Sequence, residues 1–255
     1  MNGPIIVLGM HRSGTSFLVR ALNLLGLWLG AEDHMSTMEG RAAIGNLKGN
    51  YEHLGSVFIN NAILANSGGA WNSPPRSLVV SPGDLSNMQR LAEYLEKGMP
   101  PGFTRWGWKD PRTVLTLDAW TKALGRDITL IATFRHPRAV AESLHARNGM
   151  PLELSYTLWA FYNQSLLKHL NQYPSVLVRF DVKKELLVEQ VLKVCARVGL
   201  RAERDRILDW YDSGLVRNPT VLQDDSPYFE AVAPVWDALL AFHENQAVCA
   251  TTELI

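Results

Sequence analysis

Pro4-Ile5-Ile6-Val7-Leu8-Gly9-Met10-His11-Arg12-Ser13-Gly14-Thr15-Ser16 begins as an unbroken apolar run and ends as a polar loop bounded by glycines. An apolar run without alternation, stopped by Gly9, is the pattern of a strand buried on both faces of a parallel sheet. Beyond the loop, Phe17, Leu18, Ala21, Leu24, Leu25 and Trp28 recur at steps of three and four, which predicts a helix from Thr15 to about Leu29. Strand, glycine loop and helix in that order make the phosphate-loop unit. Against the nucleotide-binding pattern G-x-x-x-x-G-K-[ST], Gly9 and Gly14 supply the glycines and Ser16 the last hydroxyl, but Thr15 stands where the lysine belongs. The glycines let the backbone curl around an oxyanion, and its amide N–H groups with the helix N-terminus favour negative charge. Without the lysine that bridges outer phosphates, a nucleoside triphosphate is a poorer fit. Arg12 offers a cation from another direction, with a fork of donors suited to a flat three-oxygen group. His11, Arg12, Ser13, Gly14, Thr15 and Ser16 are thus candidate anion-binding residues.

Outward from the loop, the same patterns predict strands at Arg105–Lys109, Asp127–Phe134 and Ser175–Phe180. Helices are expected at Tyr51–Ala65, Asp84–Lys97, Thr113–Leu124, Pro137–Arg147 and Pro151–Gln172, with a mainly helical remainder and a loop around Val216–Tyr228. No repeat, low-complexity tract or linker interrupts the order. The expected fold is α/β: a phosphate-loop, three-layer architecture with a central parallel sheet flanked by helices, in one domain spanning 1–255.

Composition narrows the function classes. Twenty-five Lys and Arg balance 25 Asp and Glu, so the broad basic surface of a nucleic-acid binder is not expected, although a local basic pocket is compatible with zero net charge. Cys195 and Cys249 stand in no Cys/His cluster, which predicts neither a disulfide framework nor a zinc site. No stretch has the length of a membrane span or the layout of a signal peptide, so a cytoplasmic protein is expected.

A second anion site is suggested where the strand ending at Phe134 runs into Arg135-His136-Pro137-Arg138. Arg135 would lie at the carboxyl end of a parallel strand, where ligands of open α/β sheets bind. Pro137 suits the start of a helix, and Ser143 would lie two turns into it. Arg135 and Ser143 together are candidates for holding a second phosphate; Arg138 is either a third or a solvated helix residue.

Two separated motifs, His11-Arg12-Ser13-Gly14-Thr15-Ser16 and Arg135 with Ser143 eight residues on, resemble the 5′-phosphosulfate loop and the 3′-phosphate motif of sulfotransferases that use 3′-phosphoadenosine-5′-phosphosulfate (PAPS). Trp108-Lys109-Asp110-Pro111 resembles a Lys-Asp-Pro segment of protein-tyrosine sulfotransferases and their bacterial relatives. The resemblance spans residues 5 to 143, with a weaker echo at Ser175–Asp181. It implies PAPS as donor, with Arg135 and Ser143 on its 3′-phosphate and the loop on its phosphosulfate. The late Arg-Lys-Gly segment of the cytosolic enzymes is missing; Arg217, in Leu215-Val216-Arg217-Asn218, is either its replacement or a surface residue.

Sulfuryl transfer needs in-line placement, charge stabilisation and often a base. Arg12 and Lys109 are the candidate cations, so that no metal is obligatory; a structural Lys109–Asp110 ion pair is the alternative for Lys109. For the base, the resemblance points to Glu52, after Gly49-Asn50-Tyr51 at an expected helix start, with His53 as the alternative. Residues 31–105 should shape the acceptor site. Trp71, Trp106, Trp108, Tyr51 and Phe58 are either its lining or core, and Asn60, Asn61 and Asn72 are further possible contacts. The acceptor, a hydroxyl on a metabolite, sugar, lipid or peptide, and the oligomeric state are not legible. A phosphate-loop kinase or nucleotide hydrolase with an altered loop is the competing reading.

Overall fold

The structure, a computed structural model, describes residues 3–36, 49–211 and 224–252. Five parallel strands form its sheet: β1 (Ile5–Leu8), β2 (Leu27–Trp28), β3 (Arg105–Lys109), β4 (Thr129–Phe134) and β5 (Ser175–Arg179). Their order is β2-β3-β1-β4-β5, which puts the amino-terminal strand at the centre. Ile5 and Val7 enter one hydrophobic cluster, Ile6 and Leu8 the other. A period of two along a strand with both faces covered is why the run carries no polar residue.

On one face lie α1 (Thr15–Leu24), α7 (Lys184–Val198) and α8 (Arg204–Trp210), packed through Leu18, Leu22, Val191 and Ile207. The opposite, larger cluster joins the sheet to α2 (Leu54–Asn66), α3 (Pro82–Lys97), α4 (Thr113–Leu124), α5 (Pro137–Asn148), α6 (Leu152–Gln172) and α9 (Phe229–Thr252). Trp108, Trp120 and Trp159, all fully buried, fill its centre. The α/β three-layer arrangement is the one expected.

Three helix boundaries differ from expectation in ways that matter. The helix after the loop stops at Leu24, and Leu27–Trp28 is an edge strand beside Arg105–Trp106. Gly26, at φ +110°, turns the chain there, so an apolar run that continued a helical stripe contributes to a sheet instead. Glu52 does not open a helix: α2 starts at Leu54, with His53 as its N-cap accepting a hydrogen bond from the Gly55 amide at 3.1 Å. The helix expected at Asp84 begins at Pro82, because Ser81 and Asp84 form a capping box with proline in the first turn. Among the described residues no helix is long and apolar enough to cross a membrane.

Candidate active site

The carboxyl ends of β1, β3 and β4 open on one cleft, as expected for an open parallel sheet. The loop between β1 and α1 forms its floor. Gly9 and Gly14 have φ of +145° and +87°. A Cβ on Gly9 would lie 2.6 Å from the Thr133 carbonyl oxygen, and one on Gly14 would lie 2.1 Å from the Phe180 ring. The cradle therefore requires glycine at both places. Arg12 also adopts a left-handed conformation, at φ +70°, which costs a side-chain-bearing residue about 1–2 kcal/mol. Its side chain is fixed in return: Nε donates to Ser143 Oγ at 2.8 Å. Arg135 Nη1 donates to the Arg12 carbonyl at 3.3 Å. Residues 131 positions apart in sequence thus form one surface.

The turn carrying Arg135 is held from both sides. The Trp159 indole donates to the Arg135 carbonyl at 3.0 Å, and the His136 amide donates to Asp181 Oδ2 at 3.1 Å. The Arg135 guanidinium lies over the Phe180 ring, 5.5 Å from its centroid. Arg138, by contrast, pairs with Glu142 and Asp225 at the surface.

Lys109 occupies the other wall. It ends β3, in register with Val7, and its ammonium donates to Ser16 Oγ at 3.3 Å, the Asn50 carbonyl at 2.7 Å and Glu52 Oε1 at 3.0 Å. The cation missing from the loop sequence thus reaches the loop's last hydroxyl from the neighbouring strand. The expected alternative, a Lys109–Asp110 pair, is not what the structure forms. Asp110 instead receives Arg112 Nη1 at 2.7 Å, and Arg112 Nη1 lies 3.8 Å from Glu52 Oε2. Asn60 is no acceptor contact: it donates to Asp110 and Thr113 and accepts from Thr116 and Trp120. Its four hydrogen bonds are all satisfied inside the fold, and they set the carboxylate that sets Arg112.

His11, Arg12, Gly14, Thr15, Ser16, Glu52, Lys109 and Arg135 all line the cleft. Ser13 is fully buried beside them, its carbonyl accepting from Thr133 Oγ1 at 3.0 Å. Ser143 joins through Arg12. His53 does not join: its ring packs against His34 and Tyr94, and burial lowers its pKa to about 4, leaving it neutral away from the cleft. Arg217 lies outside the described residues. His11 is also held neutral, its pKa lowered first by burial and then by Arg112, Arg147, Lys109 and Arg12.

Arg112, Arg147, Phe180, Trp210 and Tyr211 line the cleft too, and none was expected there. Arg112 follows directly on the Lys-Asp-Pro segment and could have been read from it; the others carry no local signal. Among the described residues the lining contains five cations, Arg12, Lys109, Arg112, Arg135 and Arg147, and one carboxylate, Glu52. A chain of zero net charge thus concentrates positive charge in one concave place, which attracts and holds anions. Of the expected aromatic residues, Trp106 and Trp108 are core, Phe58 is exposed, and Trp71 stands beside His11 with ring centroids 4.5 Å apart.

The loop geometry can be tested alone. Gly14→Ala should displace Phe180 from beneath Arg135 and strain the loop, costing about 1–3 kcal/mol of stability. It should also weaken binding of inorganic pyrophosphate roughly tenfold or more. Unfolding curves with and without pyrophosphate measure both, and unchanged affinity would contradict the reading of the loop as an anion cradle.

No family model and no curated protein matches the sequence. Solved structures do match in fold. The sulfotransferase domain from the curacin biosynthetic pathway superposes with a TM-score of 0.57 at 18% identity, covering 94% of this chain and 98% of that one. Sulfotransferase STF9 from Mycobacterium avium gives a TM-score of 0.51 at 13% identity, covering 94% of this chain and 76% of that one. The chain has the fold of these sulfotransferase domains.

Proposed function

We propose that this protein transfers a sulfuryl group from PAPS to an acceptor hydroxyl, releasing adenosine 3′,5′-bisphosphate, and that it does so as one domain. The observation that carries the reading is the meeting of the two anion motifs: Arg12 Nε on Ser143 Oγ at 2.8 Å and Arg135 Nη1 on the Arg12 carbonyl at 3.3 Å. A donor with phosphate at both its 5′ and 3′ positions needs two neighbouring anion sites, since only its ribose separates the two groups. The residues fit such a donor. The loop holds its curled shape only with glycine at 9 and 14, where a Cβ would collide with Thr133 and Phe180, and Phe180 and Trp210 give the cleft aromatic surface suited to a purine.

In this reading the loop amides with Thr15 and Ser16 hold the 5′-phosphosulfate, and Arg135 with Ser143 holds the 3′-phosphate. Arg12 and Lys109 stabilise charge developing on the transferred group and the departing phosphate. Glu52 receives the acceptor proton as the acceptor oxygen attacks sulfur. The position of Glu52 in the cleft, with His53 outside it, favours the carboxylate over the imidazole as base.

Thermal unfolding tests the donor. Adenosine 3′,5′-bisphosphate at about a hundred times its dissociation constant should stabilise the protein by roughly 2.7 kcal/mol, and ATP with magnesium at the same concentration should do much less. The reverse order would favour a kinase or nucleotide hydrolase and sink the sulfuryl-transfer reading.

A further inference from the structure

Two arginines of the cleft have no task in donor binding as just described. Arg147 lies one helical turn beyond Ser143 on α5, so both occupy the same face of that helix. It lines the cleft and is partly buried, yet among the described residues no carboxylate lies within ion-pair distance of it. Its contacts are Asn148 Oδ1, 2.6 Å from Nε, and the face of Trp71, 5.8 Å from the guanidinium carbon. Burial lowers its pKa, and Arg112 lowers it further against the opposing pull of Glu52. Arg112 faces the same space, with Nη1 committed to Asp110 and Nε buried without a hydrogen-bond partner. Arg112 is already compensated: burial lowers its pKa, but Asp110 and Glu52 raise it further than burial lowers it. Arg147, withdrawn from water near that second cation, is the one whose site an added anion would complete.

Both arginines face the Glu52 side of the cleft: Arg112 Nη1 lies 3.8 Å from Glu52 Oε2, and the Glu52 carboxylate acts on Arg147 as well. Trp71 touches His11 and is fixed through its carbonyl, which accepts from Tyr162 OH at 2.8 Å. Glu52, the proposed base, lies between Lys109 and Arg112. Arg112 and Arg147 therefore belong to the Glu52 end of the cleft, where the acceptor hydroxyl must enter.

We infer that the acceptor is itself an anion, a hydroxylated carboxylate or phosphate ester, whose charged group is bound by Arg147 and Arg112 with its adjoining carbons against Trp71. This rests on the sulfuryl-transfer reading and specifies its acceptor class. The site supplies a planar bidentate donor over an aromatic face, which suits a carboxylate or phosphate.

The test uses pairs of probes that differ only in charge: 4-hydroxybutyrate, 6-hydroxyhexanoate and 4-hydroxyphenylacetate, each beside its methyl ester. Binding to the full chain saturated with adenosine 3′,5′-bisphosphate is followed by calorimetry, and turnover by sulfated product from PAPS. At least one acid should bind about tenfold or more tighter than its ester, as expected for a charge-assisted bidentate contact. Arg147→Gln should bring that ratio close to one while leaving the bisphosphate affinity unchanged. The inference is overturned if no acid is preferred over its ester, if Arg147→Gln leaves the preference intact, or if that substitution weakens the bisphosphate, which would make Arg147 a donor ligand. Failure of the bisphosphate to bind the unmodified protein is a separate result and overturns the donor reading instead.

Discussion

Lys109→Met should lose both stability and turnover, in separable amounts. The methionine keeps the unbranched apolar stem, one atom shorter, and removes its three hydrogen bonds, to Ser16, Asn50 and Glu52. Among the described residues Glu52 is then left buried with Arg112, at 3.8 Å, as its remaining ion-pair partner. Breaking a buried ion pair by removing one partner costs about 3–5 kcal/mol; with Arg112 remaining, the lower end is expected. For a chain of this length that lowers the melting temperature by roughly 6–12 °C. Under sulfuryl transfer, kcat should fall about 10²–10³-fold, the usual loss of a donor aimed at developing charge. The bisphosphate keeps the departing phosphate but lacks the sulfuryl group, so its affinity should fall less than kcat does, by about tenfold or less. If kcat at a temperature well below melting stays within about threefold of the unmodified protein, Lys109 is a structural cation and the charge stabilisation must come from elsewhere.

Lys109 also shows what the sequence can and cannot convey. The loop Gly9–Ser16 was legible because its signals are local: an apolar run, two glycines at fixed spacing and a helical stripe after them. That the loop lacks a lysine was equally plain. That the ammonium arrives from β3 depends on β3 lying beside β1 in register, Val7 against Lys109, which is a property of sheet order. Arg12 and Ser143 met for the same kind of reason. The strand at Leu27–Trp28 was hidden because two residues cannot show a period, and their apolar character continued the stripe of α1. Arg147 reads as an ordinary basic residue in the last turn of a helix, where such residues are common. Only the packing of α5 beside the loop turns it into cleft lining. Zero net charge gave no warning either, since a total says nothing about where five cations gather.

Glu52 and His53 are adjacent in sequence, and spacing could not choose between them. The fold does separate them: His53 caps α2 and is kept neutral among Gly30, His34 and Tyr94, while Glu52 lines the cleft. Glu52→Gln should therefore keep the fold and the bisphosphate affinity while losing stability, up to about 3 kcal/mol, because the amide oxygen can still accept from Lys109 but the buried ammonium loses its counter-charge. Turnover should drop about 10²–10⁴-fold, the range expected for loss of a positioned general base. His53→Asn, which retains a capping acceptor, is the control and should keep its kcat. The double variant Glu52→Gln/Lys109→Met then distinguishes chemistry from architecture. If the carboxylate takes the acceptor proton while the ammonium stabilises the transferred and departing groups, the two act at different ends of the displacement and their losses in kcat should multiply. If the pair merely holds Gly49–Glu52 against the loop, removing the second member should cost little beyond the first. Near-normal turnover in Glu52→Gln would remove the carboxylate from the mechanism altogether, whatever the double variant does.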